Sequence, residues 1–271
     1  MLNGLVFMRV VNGEITDVYD DDVDSDELDD IMNGEIYDTD WPSGIYSDPN
    51  VSLYYFGNDE DADGALKTGS VTVNLDGDSY NFYFNKTGGA EGKGKGVNGV
   101  DDEKYIYKYG LKLKADADDK YRVVYVENTN TPGKIDIGNL DDTFKIVRLD
   151  SADLRNIAGY LGQNRDGDSV SMVGEGDNIW SDKFYLINTS GMISKKKSAA
   201  RDGADWYFYV NSDRRIVMYT NNKKLTANSD HPDLDQLGYD LSDWDDWTAK
   251  SSGAYDPTTD VGYDSDWDKD I

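Results

Sequence analysis

The sequence predicts a mainly β fold: repeated β-hairpins stacked as a β-solenoid-like array, with one or two short helices. Three observations point there. Apolar and polar residues alternate in short runs separated by turn pairs such as Asn12-Gly13 and Asp76-Gly77. Aromatic residues make up 12% of the chain, twenty of them tyrosine, and many gather in those runs. Glycine outnumbers proline by 27 to 5, the balance expected of many tight turns, few of them started by proline.

The elements follow in order. "LVFMRVV" and "EITDVY" flank Asn12-Gly13, a preferred type I′ pair, and predict a hairpin over Leu5–Tyr19. After the acids Asp20 to Asp24, a short helix is expected near Asp26–Met32. Asp24 and Glu27 have capping-box spacing, and Gly34 is the stop. A loop completes this first segment, residues 1–50.

From Val51 the pattern becomes regular. Val71, Val73 and Leu75 alternate with polar residues, as do Tyr80, Phe82 and Phe84 across Asp76-Gly77, predicting a hairpin over Val71–Phe84. The glycine-rich "NKTGGAEGKGKGVNG" lacks the residue order of a phosphate-binding loop and precedes a strand, so it is given no nucleotide role. A second helix is expected over Ala152–Leu161, with Ser151 as N-cap, and a third hairpin over Lys183–Tyr209.

Three segments in this region resemble one another. Each opens on an aromatic-rich strand: Tyr54-Tyr55-Phe56, Tyr105-Ile106-Tyr107 and Phe184-Tyr185-Leu186. Each continues through a glycine turn, a lysine and an acidic turn into a second strand. Such hairpins cannot bury an aromatic face singly, but a stack of them can. Residues 51–225 are therefore expected to form the hairpin array. Residues 226–271, acidic and rich in Ser, Gly and Asp, read as a tail or linker.

The formal charge of −27 disfavours nucleic acid and acidic lipid as partners. With no cysteine, disulfides and thiolate metal sites are excluded. No apolar run has the length of a bilayer span, so no membrane insertion is expected. The first residues do not read as a signal peptide.

Asp59, Asp61, Asp63, Gly64 and Leu66 match the first eight positions of a calcium loop, but Ser70 stands where the bidentate Glu belongs. A hairpin turn is the preferred reading. Weak Ca²⁺ binding at Asp59, Asp61 and Asp63 is the alternative, and no other cofactor is expected. The one histidine, His231, precedes a proline. No nucleophile elbow or HExxH occurs, so a non-catalytic protein is expected.

"YYFGNDEDADGALKTG" resembles the repeat of Gram-positive cell-wall-binding and choline- or glucan-binding modules. With "KYGLKLKADADDKYRVV" and "YLINTSGMISKKKSAARDGADWYFYV", the larger pattern is similar to cell-wall-binding repeat proteins of gut clostridia over roughly Leu53 to Tyr219. The resemblance implies a β-solenoid whose rings form shallow cages for choline or sugar. Gly69-Ser70 stands where the choline-binding repeat has Gly-Trp, a cage wall, which argues against choline itself. Candidate ligand-binding rings are Tyr54, Tyr55, Tyr83, Tyr107, Tyr185, Trp206 and Tyr209. Of these, Tyr55, Tyr83 and Trp206 are expected to face outward, with Phe56, Phe84 and Tyr207 in the core.

The expected function is that of an extracellular module on the bacterial cell surface, binding or attached to cell-wall glycan or teichoic acid. The alternative is a phage or particle structural or receptor-binding protein, located on the virion, that carries a host-like repeat and contacts another surface or particle protein.

Overall fold

The computed structural model describes residues 2–33, 48–57, 64–127, 145–149, 160–163, 169–172, 184–195, 197–201, 207–210 and 213–220. The chain is mainly β, and among the described strands the sheets are antiparallel and none of them closes. A solenoid stack of hairpins is not seen among the described strands. The chain divides into two compact units, Met1–Leu113 with Glu127–Ile146, and Lys114–Val126 with Val147–Ile271. No helix among the described residues is long and apolar enough to cross a membrane.

In the first unit, β1 (Leu5–Val11) lies between β2 (Glu14–Asp20) and β3 (Val51–Tyr55). The expected hairpin forms, with Asn12 and Gly13 at φ 53 and 82 as a type I′ turn demands. β1 also pairs with β3, from Leu5 opposite Tyr55 to Arg9 opposite Val51. The N-terminal hairpin is thus continuous with the segment after residue 50. Four consecutive residues of β1, Leu5 to Met8, are buried, and so is all of β3. Val6, Met8, Val10, Tyr54 and Phe56 form one apolar cluster. On the other face, Phe7 meets Tyr109 edge-on and Tyr55 stacks on Phe84 at 6.4 Å. A strand covered on both faces reads as a continuous apolar run, which "LVFM" does.

Helix α1 (Ser25–Asn33) carries the expected capping box. Asp24 Oδ1 accepts from the N–H groups of Asp26 and Glu27 at 2.9 and 3.1 Å, and Glu27 Oε2 accepts from Asp24 N–H at 2.8 Å. Burial, then a side-chain hydrogen bond with Asp20, pushes the Glu27 carboxyl up to about 7. Leu28, Ile31 and Met32 are the buried face. Ser25 Oγ donates to Asp76 Oδ2 at 2.7 Å, tying the helix start to the next hairpin turn.

That hairpin is β4 (Gly69–Leu75) and β5 (Asp78–Phe84), in register from Gly69 opposite Phe84 to Leu75 opposite Asp78. After the single turn α2 (Gly89–Gly92) come β6 (Gly99–Asp101), β7 (Tyr105–Lys108) and β8 (Leu111–Lys112). The sheet order is β4-β5-β8-β7-β6.

The glycine-rich segment is the joint between the two sheets. Gly96 N–H donates to Leu53 O at 2.9 Å, Val97 N–H to Tyr83 O at 3.2 Å and Gly110 N–H to Val97 O at 2.7 Å. All N–H groups from Gly92 to Val97 donate to backbone carbonyls, leaving none in that run for a phosphate. A Cβ on Gly96 would sit 2.1 Å from Tyr109 O, so only glycine lets the backbones approach. Lys95 is buried here, and its Nζ donates to Pro49 O.

The second unit contains most of a three-stranded sheet, in which β9 (Tyr121–Glu127) lies between β10 (Lys145–Leu149) and β13 (Phe184–Asn188). A five-stranded sheet runs in the order β11 (Tyr160–Gln163), β12 (Ser169–Met172), β16 (Ile216–Thr220), β15 (Tyr207–Val210), β14 (Lys197–Arg201). Two expectations are corrected here. Tyr160 and Leu161, expected at the end of a helix, are strand residues opposite Met172 and Ser171, because sheet pairing overrides helical spacing. The rest of that helix, residues 152–159, lies outside the described residues. The hairpin expected over Lys183–Tyr209 is split: β13 pairs with β9, whereas β15 pairs with β14 and β16. Likewise β3 pairs with β1 and lies in a different sheet from β4. The three similar segments therefore share local sequence but not pairing.

Candidate functional site: a tyrosine strip on the five-stranded sheet of the first unit

Residues directly opposite one another in a ladder share a face. Leu111 faces both Phe82 and Lys108, and Val100 faces Ile106, which places these residues on one side of the sheet. That side is buried. On the other side Tyr107 is opposite Lys112, and Tyr105 is opposite Asp101. Tyr83, one residue on from the core-facing Phe82, joins them.

The rings form a strip. Tyr83 and Tyr107 have centroids 6.0 Å apart, and Tyr107 and Tyr105 are 6.4 Å apart. Tyr107, in the middle, is buried, while Tyr83 and Tyr105 are half-buried. Burial, then the charges of Asp101, Tyr105 and Tyr83, pushes the Tyr107 phenol up to about 12, so it stays a neutral hydrogen-bonding group at physiological pH. The Nζ atoms of Lys104 and Lys112 lie 4.9 and 5.0 Å from the Tyr105 centroid. Asp101 is half-buried, and its carboxyl is raised by burial and then by Asp102, against a lowering by Lys104. The strip thus combines apolar ring faces with phenol, carboxylate and ammonium groups.

The other candidate rings lie elsewhere. Tyr54 is 2% exposed in the apolar cluster of β1 and β3, and its hydroxyl has no hydrogen-bond partner there. Burial raises its phenol above the ordinary value. Tyr55 is buried against Phe84, so the outward facing expected of it is not what the fold gives: β3 is covered on both faces. Tyr185 is 2% exposed, with the Arg215 guanidinium 3.8 Å from its centroid. Tyr83 and Phe84 do divide as expected, half-buried and buried. Trp206 and the calcium-loop acids Asp59, Asp61 and Asp63 lie outside the described residues, as does the side chain of Tyr209. The chain rejoins beyond that acidic loop where Lys67 N–H donates to Tyr55 O at 2.8 Å. In the related "NTSGMI" turn an amide replaces the acids: Asn188 Oδ1 accepts from Ser190 N–H, Ser190 Oγ–H and Met192 N–H. Among the described residues no group of three or more His, Asp or Glu could hold a metal ion.

Tyr83 and Tyr107 are among the rings expected from the sequence, whereas Tyr105, Lys104, Lys112 and Asp101 are not. A signal was present in "KYIYK", where alternation puts Tyr105 and Tyr107 on one face and Ile106 and Lys108 on the other.

Tyr54 offers a control for the strip. Tyr54→Phe removes a buried hydroxyl without a partner and keeps the ring, so stability should rise by about 1 kcal/mol, measured by denaturant unfolding. A loss of stability would mean that the hydroxyl is hydrogen-bonded in solution.

Comparison of the chain with protein-family models, with curated proteins and with solved structures finds no match.

Proposed function

We propose that this protein is a non-catalytic, extracellular module that binds cell-envelope polymer, glycan or teichoic acid, through the Tyr83–Tyr107–Tyr105 strip. The observation that carries the reading is three phenol rings at about 6 Å spacing on one face of a sheet, the two end rings half-buried and the middle one buried, flanked by a carboxylate and two ammonium groups. Ring faces stack on the C–H faces of sugars, and the phenol tips tolerate water. The flanking polar groups can take up hydroxyls and fix orientation. Tyr54, Tyr55 and Tyr185 serve the core in this reading. No cofactor is needed, because stacking and hydrogen bonding suffice.

The test is a pull-down on purified Gram-positive cell walls with a Tyr83→Ser/Tyr105→Ser variant. Both rings are half-buried on the outer face, so the fold should survive, as a thermal melt would verify. Binding should fall about tenfold or more, the equivalent of ~1.4 kcal/mol. A folded double variant that binds walls like the natural chain would overturn the reading.

A further inference from the structure

We infer that the Tyr105 end of the strip takes an acidic group, a phosphate or a carboxylate, carried by the bound polymer. The inference rests on the wall-binding reading and names the class of ligand. Lys104 and Lys112 place two ammonium groups within about 5 Å of one ring centroid. Neither lysine makes an ion pair among the described residues, in a chain with 54 acids to 27 bases. Two ammonium groups gathered at one ring concentrate positive charge there, and an anion bound beside them is attracted by both.

The backbone beside Lys104 supports a specified geometry. The β6–β7 turn holds Asp102 and Glu103 at φ 49 and 52, both left-handed and neither glycine. Each such residue costs about 1–2 kcal/mol, and both dihedrals are those of the tight turn that Lys104 N–H closes by donating to Asp101 O at 2.8 Å. The opposing charges are Asp101, which faces Tyr105, and the exposed Asp102 and Glu103 at the turn. These and the net charge of −27 repel a polyanion at long range. At physiological ionic strength that repulsion is screened beyond about 8 Å, whereas contact with the two ammonium groups is not.

The experiment compares intact walls with walls chemically stripped of their acidic polymers, at physiological salt. It uses the natural chain, a Lys104→Gln/Lys112→Gln variant and the Tyr83→Ser/Tyr105→Ser variant, each confirmed folded by thermal melt. The natural chain should prefer intact walls about tenfold. The lysine variant should lose that preference and retain binding to stripped walls, while the tyrosine variant should lose both. Equal binding of the natural chain to both walls, or a preference that survives in the lysine variant, overturns the inference and leaves the wall-binding reading standing. Full binding by the tyrosine variant overturns the reading itself. Soluble polyglycerol phosphate and polygalacturonate serve as competitors: inhibition by either supports the inference and identifies the acidic group, and inhibition by neither overturns it.

Discussion

Replacing Lys108 by methionine is expected to raise the melting temperature of the first unit by about 10 °C at pH 7. Lys108 lies on the core face of its sheet, opposite Leu111 and two residues from Ile106, and is buried. Burial pushes its amine down to about 7. No ion pair reaches the ammonium among the described residues, and burial is the single cause of the shift. Keeping such an amine charged in the fold, from an ordinary value of 10.5 to about 7, costs about 5 kcal/mol. Methionine has nearly the same shape and no charge.

The pH dependence identifies the cause. Between pH 7 and about 10.4 the unfolded chain binds more protons at this position than the folded chain, so the lysine's contribution to stability rises with pH across that window. Below pH 7 both states are protonated and the penalty is full. The stability gap between variant and natural chain should be widest at and below neutral pH and close toward about pH 10. Thermal melts from about pH 6 to about pH 10 read this directly. A gap of the same size at every pH would show that the amine is solvated or paired after all.

In the second unit the larger loss is expected from Asp116→Ala. The Asp116 carboxylate bridges two arginines: Oδ1 accepts from Arg148 Nη1 at 2.7 Å and Oδ2 from Arg122 Nη2 at 3.2 Å. Arg148 is only 3% exposed at its side chain and also donates to Lys114 O at 3.1 Å. This bridge pins the loop before β9 to β9 itself and to β10. Removing the carboxylate takes an anion at 2.7 Å away from a guanidinium whose side chain is only 3% exposed. The full cost of such a break is about 3–5 kcal/mol, and the half-exposed position of Asp116 reduces it to about 2–3 kcal/mol. Asp116→Asn, which keeps an acceptor but not the charge, should lose about half as much. Equilibrium unfolding in urea would measure both, and an alanine variant as stable as the natural chain would rule out the bridge as a structural element.

Local structure was legible wherever short-range chemistry decides it. The Asn12-Gly13 and Asp76-Gly77 turns occur with the left-handed dihedrals that those pairs favour. The Asp24/Glu27 box closes on α1 as its spacing requires. The site was legible in part. Tyr83 and Tyr107 belong to the strip, while Tyr105 was passed over although it shares the face of Tyr107 by strand alternation. Tyr54 and Tyr55 show the limit of that rule. Alternation fixes that neighbours point opposite ways, but not that either way leads to water. Both sides of β3 are covered, so both rings are core.

By itself, then, the sequence determined a mainly β chain, its turns, its first helix and the strands that carry the rings, because turn pairs, caps and alternation act over a few residues. Which strand pairs with which was decided only in three dimensions. Three similar segments entered three different pairings, since a strand's partner depends on apolar faces and backbone contacts far away in the chain, such as Gly96 against Leu53 and Tyr109. The same contest placed Lys108 on the core face and left Tyr83 and Tyr105 half-buried on the opposite face, with Tyr107 buried between them. Burying Phe82, Leu111 and Ile106 removes apolar surface from water, and Lys108 is carried into the core with them because it shares their side of the sheet.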